Sequence, residues 1–124
     1  MKINIKATGI ELTPAITEYV QKKLGAVGKF VPESESVVAQ VEVGKSSKHH
    51  KSGDVFRAEA HLIGGGLDLY AVSDQSDLYA AIDLIKDDLA RKLTQQKGKR
   101  FARTRRGARA LKDMLKGFNP FRRR

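Results

Sequence analysis

The chain has 124 residues, 24 of them Lys or Arg against 14 Asp or Glu, for a formal net charge of +10, and it contains no cysteine. That length suits one domain with a short appendage. The absence of cysteine excludes disulfides and thiolate metal sites, and no apolar run approaches the roughly 18 residues that a membrane-spanning helix needs.

The opening residues alternate, with Ile3, Ile5 and Ala7 set against Lys2, Asn4 and Lys6. Period two predicts a strand with one wet face. The start, MKINIKATGIELTP, lacks the apolar stretch of a signal peptide, so a cytoplasmic protein is expected. Thr13-Pro14 follows. Threonine is a good N-cap, and proline at the first helical position gives up an N–H that had no partner there. Ile16, Val20, Leu24 and Val27 then recur at helical spacing with Tyr19 beside them. They predict a helix over 13–28, with Gly25 and Gly28 weakening its end.

Residues 36–44 alternate again, placing Val37, Ala39, Val41 and Val43 on one face. The segment 45–54, KSSKHHKSGD, is a polar loop. Over 55–63 the inward set is Phe56, Ala58, Ala60 and Leu62. Gly64-Gly65-Gly66 permits a tight reversal, because glycine takes positive φ cheaply. Residues 67–72 form a fourth strand with Leu67, Leu69 and Ala71 inward. Ser73 or Asp74 then caps a long helix over 75–97, whose apolar stripe is Leu78, Ile82, Ile85, Leu89 and Leu93. Asp74, Asp77 and Asp83 early in it and Lys92 and Lys97 late in it both favour the helix dipole.

The order is strand, helix, three strands, helix. It predicts an α+β fold, a β-α-β-β-β-α two-layer sandwich with two helices on one face of a four-stranded sheet. The last three strands are close enough in sequence to form an antiparallel meander. The first helix is a crossover, so the first strand should lie parallel to its neighbour.

Charge divides the chain differently. Residues 97–124 hold 12 bases and one acid, Asp113, while the other 96 residues hold 12 bases and 13 acids. The expected organisation is therefore a folded domain over 1–98 and a basic tail over 99–124. A block of like charge stays open until a counter-charge arrives. Nucleic acid is the natural counter-charge, since each neutralised phosphate releases condensed ions. The segment 110–118, ALKDMLKGF, has helical spacing at Leu111, Met114, Leu115 and Phe118, and it is expected to fold on contact with RNA. An anionic membrane surface is the competing polyanion, but the apolar anchors are too few to favour it.

The second helix carries a recognisable pattern. Asp77-Leu78-Tyr79-Ala80-Ala81-Ile82-Asp83, followed by Leu89-Ala90-Arg91-Lys92-Leu93, resembles the ribosome hibernation-promoting factor family, which includes the ribosome-associated translation inhibitors. The stretch 11–30, ELTPAITEYVQKKLGAVGKF, resembles the opening of the same family, and the likeness extends over about residues 1–99. It implies a fold like that of double-stranded RNA-binding domains. It also implies a non-catalytic protein that binds the small ribosomal subunit and its 16S-type rRNA within the whole ribosome. The implied position is the messenger and transfer RNA channel of resting ribosomes, where the protein blocks initiation and keeps idle particles intact. No cofactor, small-molecule substrate or membrane partner is implied, and the protein is expected to be monomeric off the ribosome. Long members carry a separate dimerising domain, which the basic tail does not resemble. Members often have Lys where this chain has Asp88, and uncharged residues where it has Lys86 and Lys92.

The expected RNA contacts are Lys22, Lys23, Lys29, Lys86, Arg91, Lys92 and Lys97, followed by Lys99, Arg100, Arg103, Arg105, Arg106 and Arg109. Each helix base also has a plain structural reading. Asp87 precedes Arg91 by four residues and Asp88 precedes Lys92 by four, the favourable direction for intrahelical pairs worth about 0.2–0.5 kcal/mol. Lys23 lies near the first apolar stripe and can snorkel over the core. The tail arginines have no acid near them before Asp113, so local pairing cannot absorb them. Tyr79 is expected to pack its ring at the helix edge rather than stack on a base. His49, His50 and His61 do not make a zinc set, so no metal is expected. Asp83, Asp87 and Asp88 spread over a helix surface with no nucleophile beside them, so no catalytic residues are expected. A constitutive ribosomal or ribosome-assembly protein that binds RNA is the alternative reading.

Overall fold

The computed structural model describes residues 1–31, 34–46 and 53–102, with backbone alone at 34 and 96–102. Seven elements follow one another: β1 (Lys2–Thr8), α1 (Pro14–Gly28), a 3-10 turn (Ser34–Ser36), β2 (Val38–Lys45), β3 (Phe56–Gly64), β4 (Leu67–Gln75) and α2 (Leu78–Ala102). The β-α-β-β-β-α order expected from periodicity is present. So are the parallel pairing of β1 with β2 and the antiparallel meander that follows, in sheet order β1-β2-β3-β4.

The register sorts each strand into two faces. Ile5, Val41, Ala60 and Ala71 stand side by side across the sheet and face the helices. Much of this inner face is alanine, with Ala39, Ala58, Ala60 and Ala71 all buried. Small residues on the sheet leave room for large ones on the helices. Leu24, Val20 and Val27 of α1 and Ile82, Ile85, Leu89 and Leu93 of α2 fill that room with no more than 1% exposure.

α1 begins as its sequence dictates. The Thr13 side chain accepts from the Ile16 N–H at 3.2 Å, and Pro14 opens the helix. Gly25 does not end it early, because Leu24 and Val27 on either side are anchored in the core. α2 differs from expectation at both ends. β4 continues to Gln75, so neither Ser73 nor Asp74 is a cap. Asp77 takes that place, accepting the Tyr79 N–H on its side chain at 3.4 Å and the Ala81 N–H on its carbonyl. At the other end the helix runs five residues past 97, to Ala102.

The turn between β3 and β4 needs its glycines. Gly65 and Gly66 have φ of 56° and 82°, the pair of positive values that a two-residue hairpin of right-handed twist demands. Gly64 has φ of 117°, and a Cβ there would lie 2.1 Å from the Ser36 carbonyl oxygen.

β1 and β4 point the same way, and each is followed by a helix that returns across the sheet. The two helices therefore run parallel, with their C-terminal ends at one end of the molecule. α1 stops at Gly28 while α2 continues to Ala102.

Candidate nucleic-acid interface

Two layers offer two outer surfaces, and their charge differs. The helical layer carries most of the expected cations. Lys22 and Lys29 are exposed on and just after α1, with no ion pair among the described residues. Arg91, more than half exposed, donates to Asp88 Oδ1 at 2.7 Å. Lys92 lies 3.1 Å from the other oxygen of Asp88 and also donates to the backbone carbonyl of Tyr70 on β4. The expected pairing of Asp87 with Arg91 does not form, and Asp88 holds both cations instead. Burial alone pushes the Asp88 carboxyl up, but the hydrogen bonds and charges of Arg91 and Lys92 outweigh it, so the group sits below its ordinary value.

Lys86 has a different environment from the one its flanking position suggested. It is 7% exposed and lies 3.2 Å from Asp87, itself buried. Helical geometry explains this: 82, 85, 86 and 89 share a face at three- and four-residue spacing, and that face is the one pressed into the core. Asp87 accordingly leaves the solvated surface assigned to the three aspartates.

Between the helices sits a small polar and aromatic cluster. The Tyr19 hydroxyl donates to Asp83 Oδ1 at 2.7 Å, and the Lys23 ammonium lies 3.5 Å from the same oxygen. Lys23 also sits 5.2 Å from the centre of the Tyr19 ring. Tyr79 meets that ring edge-on, with centroids 4.9 Å apart. Lys23 thus covers the core edge while keeping its charge paired. Tyr19 and Lys23 are one turn apart on α1, which was the available signal for a shared partner, but nothing local to either residue names Asp83.

Lys97, Lys99 and Arg100 stand on helical backbone, in the part of α2 that extends past α1. Arg103, Arg105, Arg106 and Arg109 lie outside the described residues, as do His49, His50, Lys48 and Lys51 of the polar loop. Lys45 at the loop's start pairs with Asp54 at 3.2 Å. Among the described residues no group of three or more potential ligands could hold a metal, and no helix is long and apolar enough to cross a membrane.

Exposed or half-exposed cations therefore lie along α1 and at Arg91 and Lys92 of α2, whose helical backbone continues to Ala102. Such a surface can meet phosphates at several points along a groove, which is how structured RNA is engaged without reading bases.

Known proteins share both sequence and shape with this chain. The family described as sigma 54 modulation protein / S30EA ribosomal protein matches residues 3–100. The ribosome hibernation promoting factor of Escherichia coli K12 is 33% identical over 99 residues, covering 80% of this chain and 96% of its own length. The Azotobacter vinelandii protein of the same name is 30% identical over 103 residues, covering 83% and 89%. Among solved structures, the N-terminal domain of Thermus thermophilus Protein Y superposes with a TM-score of 0.65 at 28% identity, covering 77% of this chain and 98% of that domain. A ribosomal subunit interface protein from Coxiella burnetii, 20% identical with a TM-score of 0.62, shares the fold.

Proposed function

This chain belongs to the sigma 54 modulation protein / S30EA ribosomal protein family, and on that premise we propose that it is a ribosome hibernation factor. In this reading it binds the small subunit of resting ribosomes, occupies the messenger and transfer RNA channel, and holds idle particles out of translation. The observation that carries the reading is the span of the family match, residues 3–100, which coincides with the folded unit from β1 to α2. What is shared with the relatives is thus a whole fold rather than one motif.

The physical logic is that of a plug. A compact wedge enters a preformed cavity, and its exposed cations meet phosphate without needing a particular base. Lys22, Lys29 and Arg91 supply such contacts from the body of the helical layer, with Lys23 and Lys92 able to exchange carboxylate for phosphate at its edges. Lys86, buried against Asp87, supports the helix from within. Lys97, Lys99 and Arg100 extend the surface along α2. The bases from Arg103 onward add affinity that does not depend on sequence.

The decisive experiment is imaging of the purified protein bound to 70S ribosomes, joined to a translation assay. Density for the α+β domain in the small-subunit channel, with loss of initiation, is the expected result. Density elsewhere, or undisturbed decoding by occupied ribosomes, overturns the reading. The family description also names a ribosomal protein, which favours a second reading as a constitutive component. Occupancy separates the two, because a hibernation factor is enriched on ribosomes from resting cells and a constitutive component is equally abundant on growing ones.

A further inference from the structure

The sheet's outer face lies opposite the helical layer that carries the proposed RNA contacts. It presents Ile63, Tyr70 and Val72 at 45%, 42% and 43% exposure. The register makes them neighbours: Tyr70 stands opposite His61, Val72 opposite Glu59, and Ile63 opposite Asp68. Beside them Glu42 and Glu59 face each other directly across β2 and β3. Like charges in that position are destabilising, and no cation lies within ion-pair distance of either among the described residues. Glu42 accepts from the Thr8 hydroxyl at 2.7 Å and Glu59 from the Tyr70 hydroxyl. Neither bond cancels a charge. A shallow depression of about 300 Å³ opens between them, lined by Lys6, Gln40, Glu42, Glu59, His61 and Tyr70. On the outer face of the described sheet the acids are Glu42, Glu59, Asp68 and Asp74; Arg57 pairs with Asp74 and His61 with Asp68, while Lys6, opposite Glu42 in the β1–β2 register, makes no ion pair among the described residues.

The same molecule contains the complement. Residues 103–124 hold nine bases and one acid, together with Leu111, Met114, Leu115, Phe118 and Phe121. They begin where α2 ends, and α2 packs chiefly along β4, the edge strand. The helix runs antiparallel to β4, so it leaves the sheet at the end where Ile63 and Tyr70 lie. Twenty-two residues span up to about 70 Å when extended, ample to round one edge strand. We propose that, away from the ribosome, residues 103–124 dock on the outer face of the sheet of their own chain. A tail guanidinium enters the depression between Glu42 and Glu59, and tail apolar side chains cover Ile63, Tyr70 and Val72. The tail is then unavailable to RNA until a stronger polyanion competes for it. Acid on the sheet and phosphate on RNA draw on the same cations, so the docked form restrains binding to stray RNA.

The test requires no ribosome, so its result stands apart from the hibernation reading. The chain has no cysteine, so Asn119→Cys in the full-length protein takes a single nitroxide label. At low salt, amide signals of β3 and β4 around Glu59, His61, Tyr70 and Val72 should broaden while those of α1 stay sharp. Glu42→Gln with Glu59→Gln should abolish the broadening and tighten binding to a single-stranded RNA homopolymer. A tail docked about 90% of the time predicts a gain of about tenfold. The gain should vanish in a full-length chain with Arg103, Arg105, Arg106 and Arg109 changed to Gln. Broadening confined to the helices, no broadening, or broadening seen only between labelled and unlabelled molecules in a mixed sample overturns the proposal. Unchanged RNA affinity in the double Gln variant does so as well.

Discussion

The Tyr19 hydroxyl on α1 and Asp83 Oδ1 on α2 are 2.7 Å apart. This bond joins two helices that are 64 residues apart in sequence, and Lys23 supports it from the same side. Each helix packs its apolar stripe on the sheet, so stripes alone would allow one helix to slide along the other. A directional bond at their seam removes that freedom.

Tyr19→Phe should therefore keep the fold and lower its stability by about 0.5–1.5 kcal/mol, the usual worth of one such bond. Denaturant unfolding of the two proteins measures this. A double-mutant cycle with Asp83→Asn should show coupling between the positions. Strict additivity would mean that the seam is not held by this bond.

Lys86 and Arg91 lie on one helix but predict opposite phenotypes. Lys86→Ala removes a buried ammonium that lies beside Asp87 and should cost on the order of 1–3 kcal/mol. Arg91→Ala removes an exposed side chain, so stability should stay within about 0.5 kcal/mol while ribosome binding weakens. Thermal melts and sedimentation with ribosomes separate the two effects. An Arg91 variant with unaltered binding would remove that residue from the proposed interface.

Asp88 gives the molecule an acid limb. Its carboxyl lies below the ordinary 3.8 in the folded state. The stability it contributes is complete above that ordinary value and is lost as pH falls through the lowered one. Asp88→Asn should flatten the stability profile on that limb. It also releases Arg91 and Lys92, so RNA binding at neutral pH and low salt should tighten by up to about fivefold, the range of an exposed pair. Carboxyl titration by NMR, run beside a binding isotherm, checks both effects.

Ending the chain at residue 102 removes nine bases. Ribosome binding should weaken, and its dependence on salt should become shallower, because the slope counts neutralised phosphates. Titrations at about 50 and 200 mM salt are sufficient. Equal slopes for the two proteins would show that the tail makes no phosphate contacts.

The layer order was legible because each element writes its own period. Ile3, Ile5 and Ala7 alternate, and Leu78, Ile82, Ile85, Leu89 and Leu93 recur every three or four residues. The family was legible from the same helix. Contacts that depend on register or on a second element were not. Lys86 falls beside the stripe on a flat wheel, and only the closeness of α2 to the sheet buries it. Asp88 outcompetes Asp87 for Arg91 because Asp87 is turned inward. Glu42 and Glu59 are 17 residues apart and ordinary separately, and their opposition exists only once the β2–β3 register is known. The α2 start was misplaced because Ser73 and Asp74 have capping chemistry, but strand pairing with β3 claims them first.

Lys92 also bears on the open edge of the sheet. β4 is an outer strand, and a bare row of outward carbonyls invites a neighbour's strand to add on. The ammonium on the Tyr70 carbonyl occupies one rung of that ladder and sets a charge over it, while Lys2 and Lys6 stand on β1 at the opposite border. Both margins of the sheet thus carry lysine charge, the arrangement that discourages edge-to-edge pairing between copies.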